Sequence, residues 1–248
     1  MTADLSRGGC VAAEEEAAEL ITCAGGDPTV VRALADRRLA GEPLAWITGH
    51  APFGEHTLVV HPGVYVPRWQ SLELARRAPA SLPDDGKAID LCTGTGAVAA
   101  AIGSARPGAR VVATDSDERA VACARANGVE TWQGDLFGPV PASFRTTTDV
   151  VVAVVPYVPS AELHLLPRDT LAFEDVTHYD GGSDGLAFLR RVVSEAPDFL
   201  RPGGALLLEL GGEQADLLCP VLQRYGYTSV RTWSDQDGDV RGIQATFG

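Results

Sequence analysis

Between Asp90 and Gly96 the chain reads Asp-Leu-Cys-Thr-Gly-Thr-Gly, an acid followed by small residues at every second position, Cys92, Gly94 and Gly96. Glycine lets a backbone take positive φ and approach a ligand closely. A helix that begins just after such a turn offers unpaired N–H groups. A second acid, Asp115, follows 19 residues after Gly96. At the end of the next strand, an acid can accept hydrogen bonds from both hydroxyls of a ribose. Acid, alternating small residues and second acid, in that order, point to a nucleotide-type ligand. The spacing is not the Gly-x-Gly-x-x-Gly of dinucleotide sites. The chain also lacks a Tyr-x-x-x-Lys pair and a plausible hydride-site histidine, so a nicotinamide-dependent oxidoreductase is disfavoured.

These residues need a strand behind them and a helix in front. Lys87-Ala88-Ile89-Asp90-Leu91 is a short, mostly apolar run, as expected of a strand buried on both faces of a parallel sheet. Ala97 to Ile102 is a strong helix former. Beyond Lys87, strands are expected near 87–91, 110–115, 129–133, 149–155, 204–210, 228–233 and 242–247, with helices over 97–104, 118–127, 186–200 and 214–225. Such alternation builds a mostly parallel sheet covered on both faces. The polar stretch Asp235 to Arg241 is placed to return the last strand antiparallel.

Upstream, Ala12 to Cys23 and Thr29 to Leu39 read as helices separated by Gly25-Gly26-Asp27-Pro28, within a helical cap over residues 1–40. Thr57 to His61 and Val64 to Val66 flank Pro62-Gly63, which reads as a hairpin turn. The expected organisation is a small N-terminal helical domain over 1–56, a hairpin and linker over 57–80, and an α/β domain over 81–248.

The 248 residues are 45% hydrophobic and carry 20 basic against 33 acidic residues, a net charge of −13. A surface this acidic argues against unaided binding to nucleic-acid phosphates. No apolar run reaches membrane-spanning length, and the N-terminus lacks a basic-then-apolar signal pattern. Five scattered cysteines form no Cys-x-x-Cys pair, and five histidines show no ligand spacing. The expectations are therefore no metal, no membrane, no direct nucleic-acid contact, and a reducing cytoplasm.

The ensemble of motifs resembles the HemK/PrmC family of protein-(glutamine N5) methyltransferases over roughly residues 12–248. In the first part it rests on Arg37 to Gly49, Phe53-Gly54 and Val66-Pro67-Arg68. Further on it rests on Asp90 to Gly96, Asp115, Gly134-Asp135-Leu136-Phe137, Pro156-Tyr157-Val158-Pro159, Phe173-Glu174 and Gly181 to Leu186. The resemblance implies a doubly wound, seven-stranded, Rossmann-like fold dependent on S-adenosylmethionine (SAM), with a small N-terminal helical domain and a β-hairpin link. It implies a protein substrate, a release factor or ribosomal protein. Asp90 and Cys92, Thr93, Gly94, Thr95 and Gly96 would pass under the methionine part of SAM, Asp115 would hold the ribose, and Asp135 and Leu136 would border the adenine. Val154, Val155, Pro156 and Tyr157 stand where the family has Asn-Pro-Pro-Tyr, the element that binds the target glutamine amide.

Three departures matter. Cys92 replaces a glycine, small enough for cofactor binding to survive. Arg68-Trp69-Gln70-Ser71-Leu72 stands where the family has an Arg-Pro-acid-Thr-Glu pattern. Val154 replaces the asparagine whose side-chain carbonyl accepts one amide N–H, while a backbone carbonyl accepts the other. An amide nitrogen is a poor nucleophile because its lone pair is delocalised, and that pair of acceptors aims it. Val154 has none; the backbone carbonyl of Val155 can still serve. The residues therefore leave open an active protein N-methyltransferase, a methyltransferase for a small-molecule nitrogen, and a SAM-binding interaction module with little catalysis. Structural alternatives stay open too: Asp115 as a helix cap, Asp135 as a turn acid, Tyr157 as a rim aromatic, Glu174 as a surface acid.

Overall fold

A computed structural model describes the backbone of residues 1–248 and the side chains of all but residues 168 and 169. The chain begins with helices α1 (Thr2–Arg7), α2 (Ala13–Cys23), α3 (Pro28–Leu39) and α4 (Leu44–Thr48). Asp27 caps α3, its carboxylate accepting from the Thr29 N–H at 2.8 Å and the Val30 N–H at 3.3 Å, with Pro28 in the first turn. Leu5, Ala17, Leu20, Ala35 and Ile47 form the buried centre of this helical cluster.

Strands β1 (His50–Phe53) and β2 (His56–Val59) pair antiparallel, with Gly54 at φ +59° in the turn. This corrects the expected hairpin around Pro62-Gly63. The run 57–59 does extend, but it pairs backwards with 50–53, and residues 64–66 form no strand. The carbonyl of Val64 instead accepts from the indole N–H of Trp46 at 2.9 Å. That long-range contact, invisible to local patterning, carries the segment across α4.

After α5 (Ser71–Arg77) come β3 (Lys87–Leu91), α6 (Ala97–Ala105), β4 (Arg110–Asp115), α7 (Glu118–Ala126), β5 (Glu130–Gln133), β6 (Thr148–Ala153), α8 (Arg168–Phe173), α9 (Ala187–Glu195), β7 (Leu200–Glu209), α10 (Gln214–Arg224), β8 (Tyr227–Ser234) and β9 (Val240–Phe247). The seven strands from β3 onward form one sheet in the order β5-β4-β3-β6-β7-β9-β8. Strands β3 to β7 run parallel, and β9 enters antiparallel between β7 and β8. The polar return after β8 is thus as the sequence suggests. Helix α9 stops at Glu195, short of the expected 200, where Ala196-Pro197-Asp198 tightens into a single 3₁₀ turn.

The chain reverses direction across the sheet between β3 and β6. A crevice opens outside the carboxyl ends of strands at such a point. All six residues of β6 are buried, as a central parallel strand requires. Among the described residues, no helix is long and apolar enough to cross a membrane.

Candidate active site

The crevice is a cavity of about 780 Å³, within the range of small-molecule sites. Its floor is the loop between β3 and α6. Gly94 takes φ +56°, and a Cβ built there would meet only the Tyr65 carbonyl oxygen at 3.9 Å, so the backbone faces open space. The Gly94 N–H donates to Asp115 Oδ2 at 2.9 Å, and the Asp117 N–H donates to Asp115 Oδ1 at 3.0 Å. A carboxylate has about four lone-pair positions, so two remain for a ligand. Burial raises the Asp115 carboxyl above its ordinary range, and the two backbone N–H groups oppose that shift.

Gly96 does a different job. Its φ is +81°, and a Cβ would lie 2.9 Å from Val129 Cγ2 and 3.1 Å from Ala124 Cβ. It is the close-approach point between the start of α6 and the turn after α7, behind the cavity. Asp90 also sits behind the loop. Its Oδ2 accepts from Thr93 Oγ1 at 2.6 Å and from the Ala99 N–H at 3.2 Å, tying strand to helix. Burial pushes this carboxyl up to about 7.

Cys92, Thr93, Gly94, Thr95, Asp115 and Val154 to Tyr157 all line the cavity. Cys92 adopts φ +55°, a conformation that suits glycine better than a residue with a Cβ. Its thiol is raised by burial, then by Asp115, and is not a reactive thiolate. Asp135 and Leu136 lie outside the lining. Leu136 turns into the core at φ +44°, its carbonyl accepting from Thr114 Oγ1 at 2.8 Å. Asp135 is engaged by Arg191 of α9 at 2.8 Å and 3.0 Å.

The opposite wall comes from the segment before α5 and the loop after α8. Arg68 donates to Glu174 and, at 2.9 Å, to the Tyr179 hydroxyl, which donates to Glu174 Oε2 at 2.8 Å. Glu174 is buried, 6% exposed, so it is no surface acid. At the end of β7, Glu209 is 2% exposed and accepts from Ser71 Oγ at 2.6 Å and the Tyr157 hydroxyl at 3.0 Å. Sequence reasoning passed over Glu209. The signal was there: one acid closing the otherwise apolar run Ala205-Leu206-Leu207-Leu208. Asn127 joins the hairpin to the floor, bonding both polar backbone atoms of Val59 and donating to the Thr95 carbonyl at 2.8 Å.

A cradle of positive-φ glycine, exposed backbone and a ribose-type acid fits a nucleoside bearing an amino-acid tail. A family described as "Methyltransferase small domain" matches residues 56–136. The release factor glutamine methyltransferase of Geobacter sulfurreducens is 33% identical, covering 88% of this chain and 78% of the relative. That of Neisseria gonorrhoeae is 37% identical, covering 83% and 77%. The chain belongs to the release factor glutamine methyltransferase family.

As a member of this family it is a SAM-dependent N-methyltransferase. Its fold agrees with that of a methyltransferase from Pyrococcus furiosus, with a TM-score of 0.54 at 21% identity, covering 86% of this chain and 98% of that one. The cavity joins two parts of the chain: the loop between β3 and α6, and the segment Val154-Val155-Pro156-Tyr157 beyond β6.

Proposed function

We propose that the protein transfers the SAM methyl group to a side-chain nitrogen of a protein substrate, with a release-factor glutamine amide as a slow acceptor. The observation that carries this reading is the position of Val154 to Tyr157 beyond β6, lining the same cavity as Cys92 to Thr95. The curated relatives are named for the release-factor substrate. Cys92 to Thr95 cradle the methionine part, Gly96 and Asp90 hold that loop in shape from behind, and Asp115 binds the ribose. Asp135 reaches an adenine only by releasing Arg191.

SAM supplies an electrophilic methyl on a sulfonium. The acceptor nitrogen forms the new C–N bond as the C–S bond breaks, the electron pair returns to sulfur, and one N–H proton leaves to water. The chain's task is to aim that nitrogen and keep the slot dry. Val154 makes one face of the slot apolar, and a buried donor without a partner costs ~1–3 kcal/mol. The slot therefore disfavours a primary amide relative to a nitrogen with fewer N–H groups to satisfy.

Tritium-labelled SAM incubated with the enzyme and a whole-cell lysate should label a protein band, and purified release factor should be labelled slowly. Label confined to small molecules, or none in any fraction, would overturn the reading in favour of a small-molecule enzyme or a binding module. Asp115→Ala should weaken calorimetric SAM binding by ~1–3 kcal/mol, the cost of leaving ribose hydroxyls and the Gly94 N–H without their acceptor. Undiminished affinity would remove Asp115 from the cofactor site.

A further inference from the structure

The Tyr157 hydroxyl has a fixed direction. It donates its single hydrogen to Glu209 Oε1 at 3.0 Å, while Glu209 Oε2 is held by Ser71 Oγ at 2.6 Å. A phenol has one hydrogen and two lone-pair positions. Burial raises the Glu209 carboxyl, and the Ser71 and Tyr157 hydroxyls that donate to it oppose that shift; in its ionised form it has no hydrogen to give back, and the phenolic oxygen has only acceptor capacity left. Tyr157 and Glu209 both line the cavity that Val154 lines.

The backbone beneath Tyr157 is equally fixed. Its carbonyl accepts from Gln214 Nε2 at 2.7 Å. A Cβ on Gly185 would fall 2.3 Å from that carbonyl oxygen, and one on Gly181 would fall 2.8 Å from the Tyr157 Cα. Only glycine fits at these two places, so the chain packs tightly around the tyrosine. Burial, reinforced by Glu209, raises the phenol far above its ordinary range, so it keeps its hydrogen.

We propose that the Tyr157 phenolic oxygen, oriented by Glu209, accepts one N–H of the incoming nitrogen and thereby supplies, as a weaker acceptor, part of the polar contact absent at Val154. Tyr157 is then a catalytic residue and Glu209 a positioning residue. The proposal rests on the nitrogen-acceptor reading above. It adds a selectivity: the slot takes a nitrogen with at least one N–H to donate, and disfavours an oxygen or a fully substituted nitrogen that presents only lone pairs.

The test is steady-state kinetics with purified release factor and labelled SAM. Tyr157→Phe should lower kcat at least about tenfold, the worth of one well-placed hydrogen bond, with SAM affinity close to wild type. Glu209→Leu should reproduce that loss. Glu209→Gln, whose Oε1 can still accept the phenol hydrogen, should recover most of it, which a merely space-filling role would not produce. In a Val154→Asn background a side-chain carbonyl serves the same N–H, so Tyr157→Phe should cost no more than about threefold. An equal loss in the two backgrounds, or no loss in wild type, would overturn the proposal while the observed transfer left the functional reading standing. No transfer by either wild type or Val154→Asn would overturn both.

Discussion

Val154→Asn raises the rate of methyl transfer to a release-factor glutamine by at least about tenfold. Val154 follows the last residue of β6 and lines the cavity beside Val155, Pro156 and Tyr157. A primary amide brings two N–H groups and a delocalised lone pair. It becomes a nucleophile only when both N–H groups find acceptors in the plane that turns the lone pair toward the methyl. In wild type the proposed acceptors are a backbone carbonyl and the phenolic oxygen of Tyr157, a weaker acceptor than an amide carbonyl. Asparagine places the stronger one at the wall. A single preorganised polar contact of this kind is worth on the order of 10²–10³ in rate, and the Tyr157 contact already present reduces the expected gain. The variant and wild type are compared at saturating SAM by counting label in release factor. A wild type already as fast as the variant would show that the apolar wall imposes no penalty and that the amide is the fully competent substrate.

The alternation of apolar strands and helix formers gave the seven-stranded sheet, the antiparallel return of β9 and the glycine-bearing loop between β3 and α6 with little displacement. These features are local: each strand is a buried run, and the loop's glycines are dictated by φ at Gly94 and by packing at Gly96. What stayed hidden was non-local. Residues 64–66 form no strand, and the Val64 carbonyl accepts instead from the Trp46 indole N–H, 18 residues upstream. Glu174 looks like any surface acid until Arg68, 106 residues away, is brought beside it. Glu209 meets Ser71 across 138 residues. Asp135 and Leu136 carry the motif but are turned from the cavity, one by Arg191 and the other by its positive φ. Local pattern fixes which residues lie at strand ends. It does not fix which of them face the same space.

Arg68→Ala costs about 3 kcal/mol of folding stability and weakens SAM binding with it. Arg68 joins the segment before α5 to the loop after α8, bonding both Glu174 and the Tyr179 hydroxyl. Removing it leaves the Glu174 carboxylate, whose side chain is 2% exposed, with the Tyr179 hydroxyl but no cation. Breaking a buried pair from one side costs about 3–5 kcal/mol, because the surviving charge is stranded in a low-dielectric site. The low end applies here, since the Arg68 side chain is 34% exposed and solvent reaches it. The penalty belongs to the orphaned carboxylate rather than to the worth of the bond, and this separates two outcomes. Arg68→Met combined with Glu174→Leu removes both charges and should restore much of what Arg68→Met alone loses, because an apolar pair of similar volume needs no partner. Urea unfolding of the two singles and the double measures the coupling. Additive losses would mean that Arg68 and Glu174 act independently, and that the wall facing the cofactor floor is held by packing of Tyr65 and Tyr179 rather than by the ion pair.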